Sequence, residues 1–271
     1  MGHRPGGDAR LSKRAGGVAG ATRVQTAEHI ARLREEGELF TQAATAAGPD
    51  AAVPTCPGWQ VRDLVRHLGG VHRWATSYVV TGNPSPSSER ADAQYFAAIA
   101  DEELLPAYRS AHATLVEALA GAPADLACWA FLSAPSPLAF WARRQAHETT
   151  IHRVDAEIAA GMPSSCSAGV SADGIDELLN GFFSRTRGKL VCNPAVALAV
   201  RATDTGDAWT IRIEPDRRVV TAGAGDADCT VSGMASELYL LLWNRRMPGE
   251  GLSVEGNPRV LNLWRNRAIV T

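Results

Sequence analysis

Apolar positions recur at helical spacing through the first part of the chain and at strand spacing after it. From Thr26 onward, Ile30, Leu33, Phe40, Ala43 and Ala44 fall near one stripe, and Gly48-Pro49 ends the run. The segment Pro54-Thr55-Cys56-Pro57-Gly58-Trp59 reads as a tight turn. A second helix follows, with Val61, Leu64, Val65, Leu68 and Val71 at helical spacing and Trp59 placed as a hydrophobic staple before it. Residues 81–92 read as a polar loop, 101–120 as a third helix and 137–160 as a fourth. Four helices with intervening loops are the pattern of a helical bundle.

The pattern then changes. A fifth helix over 173–187 precedes short strand-like runs at 196–202, 209–213, 218–221 and 229–232. Thr-Gly-Asp, Glu-Pro-Asp and Gly-Ala-Gly turns separate them. An apolar helix over 236–243 and an amphipathic C-terminal helix complete the chain. The change predicts a boundary between 165 and 190, dividing a helical bundle over 23–165 from a small α+β domain over 166–271. Residues 1–22, rich in Gly, Arg and Ala without an apolar period, read as a disordered arm.

With 45% hydrophobic and 21% charged residues, 271 residues can bury a sizeable core, which excludes a disordered chain. A net charge of −2, with no basic stripe beyond the arm, argues against nucleic acid as a partner. No apolar run approaches the roughly 20 residues that span a bilayer. The opening residues lack the apolar centre of a signal peptide. A soluble, cytoplasmic protein without a membrane partner is expected. The five cysteines are odd in number and never spaced C-x-x-C, which argues against a disulfide framework and a thiolate zinc cage. Two lysines stand against 25 arginines, a bias that suggests a high-GC genome.

The stretch His147-Glu148-Thr149-Thr150-Ile151-His152-Arg153-Val154-Asp155 carries candidate chemistry. On a helix Glu148 and His152 lie about 40° apart, with Asp155 near the same face, whereas His147 is about 140° from His152. A carboxylate and an imidazole one turn apart can offer two ligands to one divalent ion. A third must come from another helix, and His67, at the edge of the second helix's apolar stripe, is the candidate. His67, Glu148 and His152 would form a His₂Glu set with an open fourth position, the catalytic pattern for zinc, although nickel or cobalt also suits it. Asp63 is a candidate hydrogen-bond acceptor behind His67, and His72 an alternative ligand about 140° round the helix. Against this, a His on an apolar face is commonly a satisfied core residue, and a Glu–His pair at this spacing commonly lies on a surface. His3, His29 and His112 read as surface residues. Cys56 is either a reactive thiol or, the favoured reading, a small residue in a Pro-bounded turn.

Two separated motifs bear a resemblance. The run from Thr55-Cys-Pro-Gly-Trp through Arg66-His67-Leu68-Gly69-Gly70 to Ala75 resembles a signature of the mycothiol-dependent maleylpyruvate isomerase family. The run Phe140-Trp-Ala-Arg-Arg-Gln-Ala-His-Glu-Thr-Thr-Ile-His-Arg-Val-Asp-Ala-Glu157 resembles a second. Thr230–Arg245 and Leu252-Ser-Val-Glu-Gly-Asn-Pro resemble the family's C-terminal domain, so the likeness covers roughly 25–271. It implies an α+β fold: an N-terminal DinB-like four-helix bundle followed by a small sterol-carrier-like α+β domain. It also implies zinc held by His67, Glu148 and His152. Arg245, in Trp-Asn-Arg where many relatives have Trp-Gly-Arg, falls at the family's carboxylate-binding arginine, and Arg90 is a loose match to a second. A helix C-terminal cap is the competing role for Arg245.

The implied chemistry is activation of a low-molecular-weight thiol, mycothiol, bound at zinc and supplied from outside the chain. Attack on the double bond of maleylpyruvate, rotation and elimination would return fumarylpyruvate. Release of the adduct would instead make the chain a mycothiol S-transferase in detoxification or natural-product biosynthesis. A non-catalytic small-ligand-binding protein is a third reading. The resemblance implies a monomer acting on a small electrophile such as a dicarboxylate, in the actinobacteria that make mycothiol.

Overall fold

The computed structural model describes residues 24–185, 188–249 and 251–268; the predicted arm over 1–22 and His3 lie outside them. Helices α1 (Thr26–Ala47) and α2 (Val61–Thr81) are followed by a short α3 (Glu89–Asp92) that runs into a 3₁₀ turn, Ala93–Phe96. Then come α4 (Asp101–Gly121) and α5 (Pro137–Ala159). The long helices pack in the cyclic order α1–α5–α2–α4, and the diagonal pairs scarcely meet. Local chemistry sets their ends. Gln60 and Asp63 form a capping box at the start of α2. Ser136 accepts the Ala139 N–H at the start of α5, with Pro137 in the first turn.

Helix α5 is buried over most of its circumference, from Phe140 to Glu157, so it shows no single apolar stripe. Its interior charges are paired. Arg153, for example, donates to Glu36 of α1 and to Glu157, each at 2.7 Å. Near its start, Trp141 stacks on Tyr78 with ring centroids 5.3 Å apart, and its indole N–H donates to the Trp129 carbonyl at 2.9 Å.

Beyond α5, helix α6 (Ala168–Asp176) continues as a π-helix, Glu177–Phe183. Strands β1 (Val196–Ala202), β2 (Ala208–Ile213), β3 (Arg218–Ala222) and β4 (Cys229–Gly233) precede α7 (Ala235–Leu242), β5 (Leu252–Gly256) and α8 (Pro258–Arg267). The sheet runs β3-β2-β1-β4-β5, parallel only between β1 and β4. Register pairs Leu198 with Ile211 and Val200 with Trp209. Ile151 and Val154 of α5 share a buried cluster with α6, the sheet and α7, so α5 belongs to the cores on both sides of it.

The helical bundle and the mixed sheet agree with the expected fold class. Three local features differ. The end of the expected polar loop folds as α3, capped by Ser88 accepting from Ala91 N–H. The fifth helix begins at Ala168 and its π continuation ends at Phe183; α6 packs against α7, and Ser171 and Ala172, ahead of the expected start, are already buried. Strand β5 was not predicted. It is a largely exposed edge strand, and backbone pairing to β4 supplies what its side chains do not.

Trp141→Ala should lower stability by about 3–5 kcal/mol, as for other large buried aromatics. Urea denaturation measures it.

Candidate metal centre

Helices α2 and α5 bring His67, Glu148 and His152 together. The Nε2 atoms of His67 and His152 each lie 3.3 Å from the same Glu148 Oε1. All three donor atoms fall within 4.8 Å of one another. Zinc with bonds of about 2.0–2.1 Å at tetrahedral angles sets ligand atoms about 3.4 Å apart. The donor set therefore fits an ion of that size. The side chains of His67, Glu148 and His152 are 31%, 22% and 10% exposed, so the set opens to solvent on the His67 side. Trp59 and Phe96 flank it, their rings 5.1 and 6.3 Å from the His67 ring.

Each candidate ligand on α5 is oriented from behind. Asp155 Oδ2 lies 2.8 Å from His152 Nδ1, which leaves Nε2 to face Glu148. Arg144 donates to Glu148 Oε2 at 3.0 Å and also pairs with Glu177 of the π-helix. Its guanidinium lies 5.2 Å from the Phe182 ring and 5.8 Å from that of Trp243.

Burial opposes ionisation of Glu148, yet hydrogen bonds from His152 and His67 and the Arg144 charge hold its pKa well below the ordinary range. Burial likewise works against the His152 cation, but Asp155 and Glu148 push its pKa up to about 9. Asp155 is held far down, against burial, by His152 and Arg245. The two carboxylates therefore favour positive charge at the His152 ring.

Asp155, wholly buried, is gripped from three segments. Thr55 Oγ1 donates to Oδ1, and the Cys56 thiol lies 3.6 Å from Oδ2. Arg245 donates through Nε to Oδ1 and through Nη2 to Oδ2, both at 2.9 Å. The end of α7 puts Arg245 there. Asn244 takes a left-handed conformation (φ 60°), the Asn244 N–H bonds Leu241 O and the Arg245 N–H bonds Leu240 O, which is a Schellman closure. Arg245 Nη1 also donates to the Trp243 carbonyl at 2.8 Å, so the capping role and the ion pair coexist. Burial and the Asp155 charge push the Cys56 thiol up to about 12, which suits the structural reading of that residue.

Other expected residues fall elsewhere. Arg90 is exposed on α3, with no ion pair among the described residues. Asp63 turns to the Gln60 N–H and to Arg66 and does not back His67. His72 is buried 3.0 Å from Thr149 Oγ1. His29 and His112, expected at the surface, are both buried. The bundle covers more than one face of α1 and α4, and His112 Nε2 lies 2.9 Å from the Leu33 carbonyl oxygen. His29 joins His147 and Asp173 in a second cluster whose carboxylate already has a cation, Arg143 at 3.0 Å. Arg144 and Thr55 escaped sequence reasoning. Arg144 had a signal, its i,i+4 spacing to Glu148; Thr55 had none.

Residues 30–157 match the family model described as the mycothiol maleylpyruvate isomerase N-terminal domain, and 169–263 match the MDMPI C-terminal domain. The chain belongs to the mycothiol-dependent maleylpyruvate isomerase family. In this family member, Asp155 lies in the first matched region and Arg245 in the second. A crystal structure of the mycothiol-dependent maleylpyruvate isomerase is similar in fold, with a TM-score of 0.60 and 15% identity over 86% of this chain and 93% of that one. A mutant of that enzyme gives the same TM-score and coverage at 14% identity. Among curated proteins, none matches the chain. No described helix is long and apolar enough to cross a membrane.

Two outcomes follow from this geometry. Purified protein should carry about one zinc per chain by elemental analysis, and His152→Ala should abolish stoichiometric binding. Separately, burial lowers the His29 pKa from 6.5 to about 4, so folding favours its neutral form. That stability is complete above the unfolded value and is lost as pH falls from about 6.5 to 4, by on the order of 3 kcal/mol. His29→Gln should flatten this part of the stability–pH curve, measured by urea denaturation.

Proposed function

We propose that this family member is a zinc-dependent enzyme that activates a low-molecular-weight thiol, mycothiol, for attack on a small electrophile. The observation that supports it is the convergence of His67 Nε2, Glu148 Oε1 and His152 Nε2 at ligand spacing, open on one side. Zinc held there would lower the pKa of a bound thiol enough to make it a thiolate near neutral pH. Asp155 and Arg144 hold the donor atoms of His152 and Glu148 in place. Trp59 and Phe96 give the open side an apolar wall. Cys56, the described cysteine grouped with His152, is held as a thiol beside Asp155, which supports an external thiol as nucleophile.

In the isomerase reading, the thiol sulfur adds to the C=C bond of a maleylpyruvate-type substrate. The resulting single bond rotates, and elimination expels the thiol and restores the double bond as trans. Arg245 and Arg90 are the proposed carboxylate contacts. One observation favours a second reading, S-transfer with release of the adduct. Asp155, Trp243 and Cys56 engage four of the five guanidinium N–H groups of Arg245, leaving one for substrate. In either reading the protein acts in the cytoplasm, as a monomer, on small molecules.

Zinc-loaded protein, mycothiol and maleylpyruvate, followed by NMR of the olefinic protons, should show conversion to fumarylpyruvate that His152→Ala abolishes. Unchanged olefinic signals from metal-loaded protein would sink the isomerase reading. Transfer of the thiol to another electrophile would then establish the transferase, and no reaction at all would leave a binding protein.

A further inference from the structure

We infer that Arg245 is a positioning residue of the metal centre, acting on His152 through Asp155, so that the C-terminal domain completes a site whose ligands all lie in the bundle. The inference rests on the proposed metal site and gives Arg245 a role besides the carboxylate contact proposed above.

The contacts form one line. Arg245 grips Asp155 with two parallel bonds of 2.9 Å, and Asp155 meets His152 Nδ1 at 2.8 Å. His152 then presents Nε2 3.3 Å from Glu148 Oε1. A bidentate guanidinium–carboxylate pair fixes the carboxylate plane as well as its position, which a single contact cannot do. Fixing that plane fixes the ring that bonds to it, and with it the tautomer that leaves Nε2 free for a ligand bond.

The placement is also over-determined. The Schellman closure at Asn244 sets the backbone of Arg245, and the Trp243 carbonyl holds the remaining arm of the guanidinium. Ninety residues of sequence separate Asp155 from Arg245, so the pairing depends on docking of the two regions. Without Arg245, Asp155 would keep only neutral donors from Thr55 and Cys56 beside His152, and would be free to turn.

The test measures metal and needs no substrate. Zinc dissociation constants come from competition with a chromophoric chelator, for native protein, Arg245→Met, Arg245→Lys, Asp155→Asn and the Arg245→Met/Asp155→Asn double variant. Arg245→Met should weaken zinc binding roughly 10- to 100-fold, as loss of an orienting partner does elsewhere. Arg245→Lys, which restores one charged contact, should fall between. In the Asp155→Asn background Arg245→Met should add almost nothing, because the route through Asp155 is already cut. The visible spectrum of cobalt-loaded Arg245→Met should shift from that of native protein at full occupancy.

Unchanged zinc affinity in a folded Arg245→Met would overturn the inference. So would full additivity of the two substitutions. If Arg245→Met does not fold, Arg245→Lys decides by the same criterion. Failure of the underlying metal site looks different: His152→Ala would then bind as much zinc as native protein, whatever Arg245 does.

Discussion

A carboxylate with no exposure to water sits at the centre of this structure. An unpaired buried Asp155 would cost several kcal/mol, so its neighbours are constrained by its charge before any ligand arrives. Satisfying it draws in the Thr55-Cys56 turn ahead of α2, His152 one turn back along α5 and Arg245 from the end of α7. Each partner belongs to a different segment. The electrostatic need of one residue is therefore also the joint that fixes three backbones relative to one another.

A similar arrangement is built behind Glu148. Arg144 is buried, paired with Glu148 and Glu177 and covered by the rings of Phe182 and Trp243. Glu177 and Phe182 come from the π-helix and Trp243 from the end of α7. Glu148 and His152 thus each have a charged group behind them, and in both cases the support includes residues from beyond the bundle. The open side of the site is made differently, from the aromatic residues Trp59 and Phe96 and the partly exposed His67.

The legibility of these parts in the sequence follows from how local their causes are. Glu148 and His152 could be paired by counting residues along one helix, and His67 by its place beside an apolar stripe. The first four strands could be read from alternation bounded by turn chemistry. Strand β5 could not, because an edge strand is held mainly by main-chain bonds to its neighbour. His29 and His112 misled because surface was inferred from the lack of a local partner, whereas their partners lie across helix–helix contacts. The grip of Arg245 on Asp155 is of the same kind: its local signal, a helix ending in Trp-Asn-Arg, indicates a cap and says nothing of what the guanidinium meets.

Helix α5, buried nearly all round, has a consequence for how such a protein can diversify. An insertion or deletion within it would rotate everything beyond by about 100° and exchange the candidate ligand positions for core residues. Almost no position from Phe140 to Glu157 can accept a larger side chain without displacing a packed neighbour. Looser packing is found at the periphery, in the turn carrying Trp59 and in the short α3 with its 3₁₀ extension, neither of which buries a residue of its own. Those segments can change length and shape without disturbing the packing of α5. The molecule thus separates a closely packed floor from a loosely packed rim, so changes of shape are tolerated on the side that meets solvent.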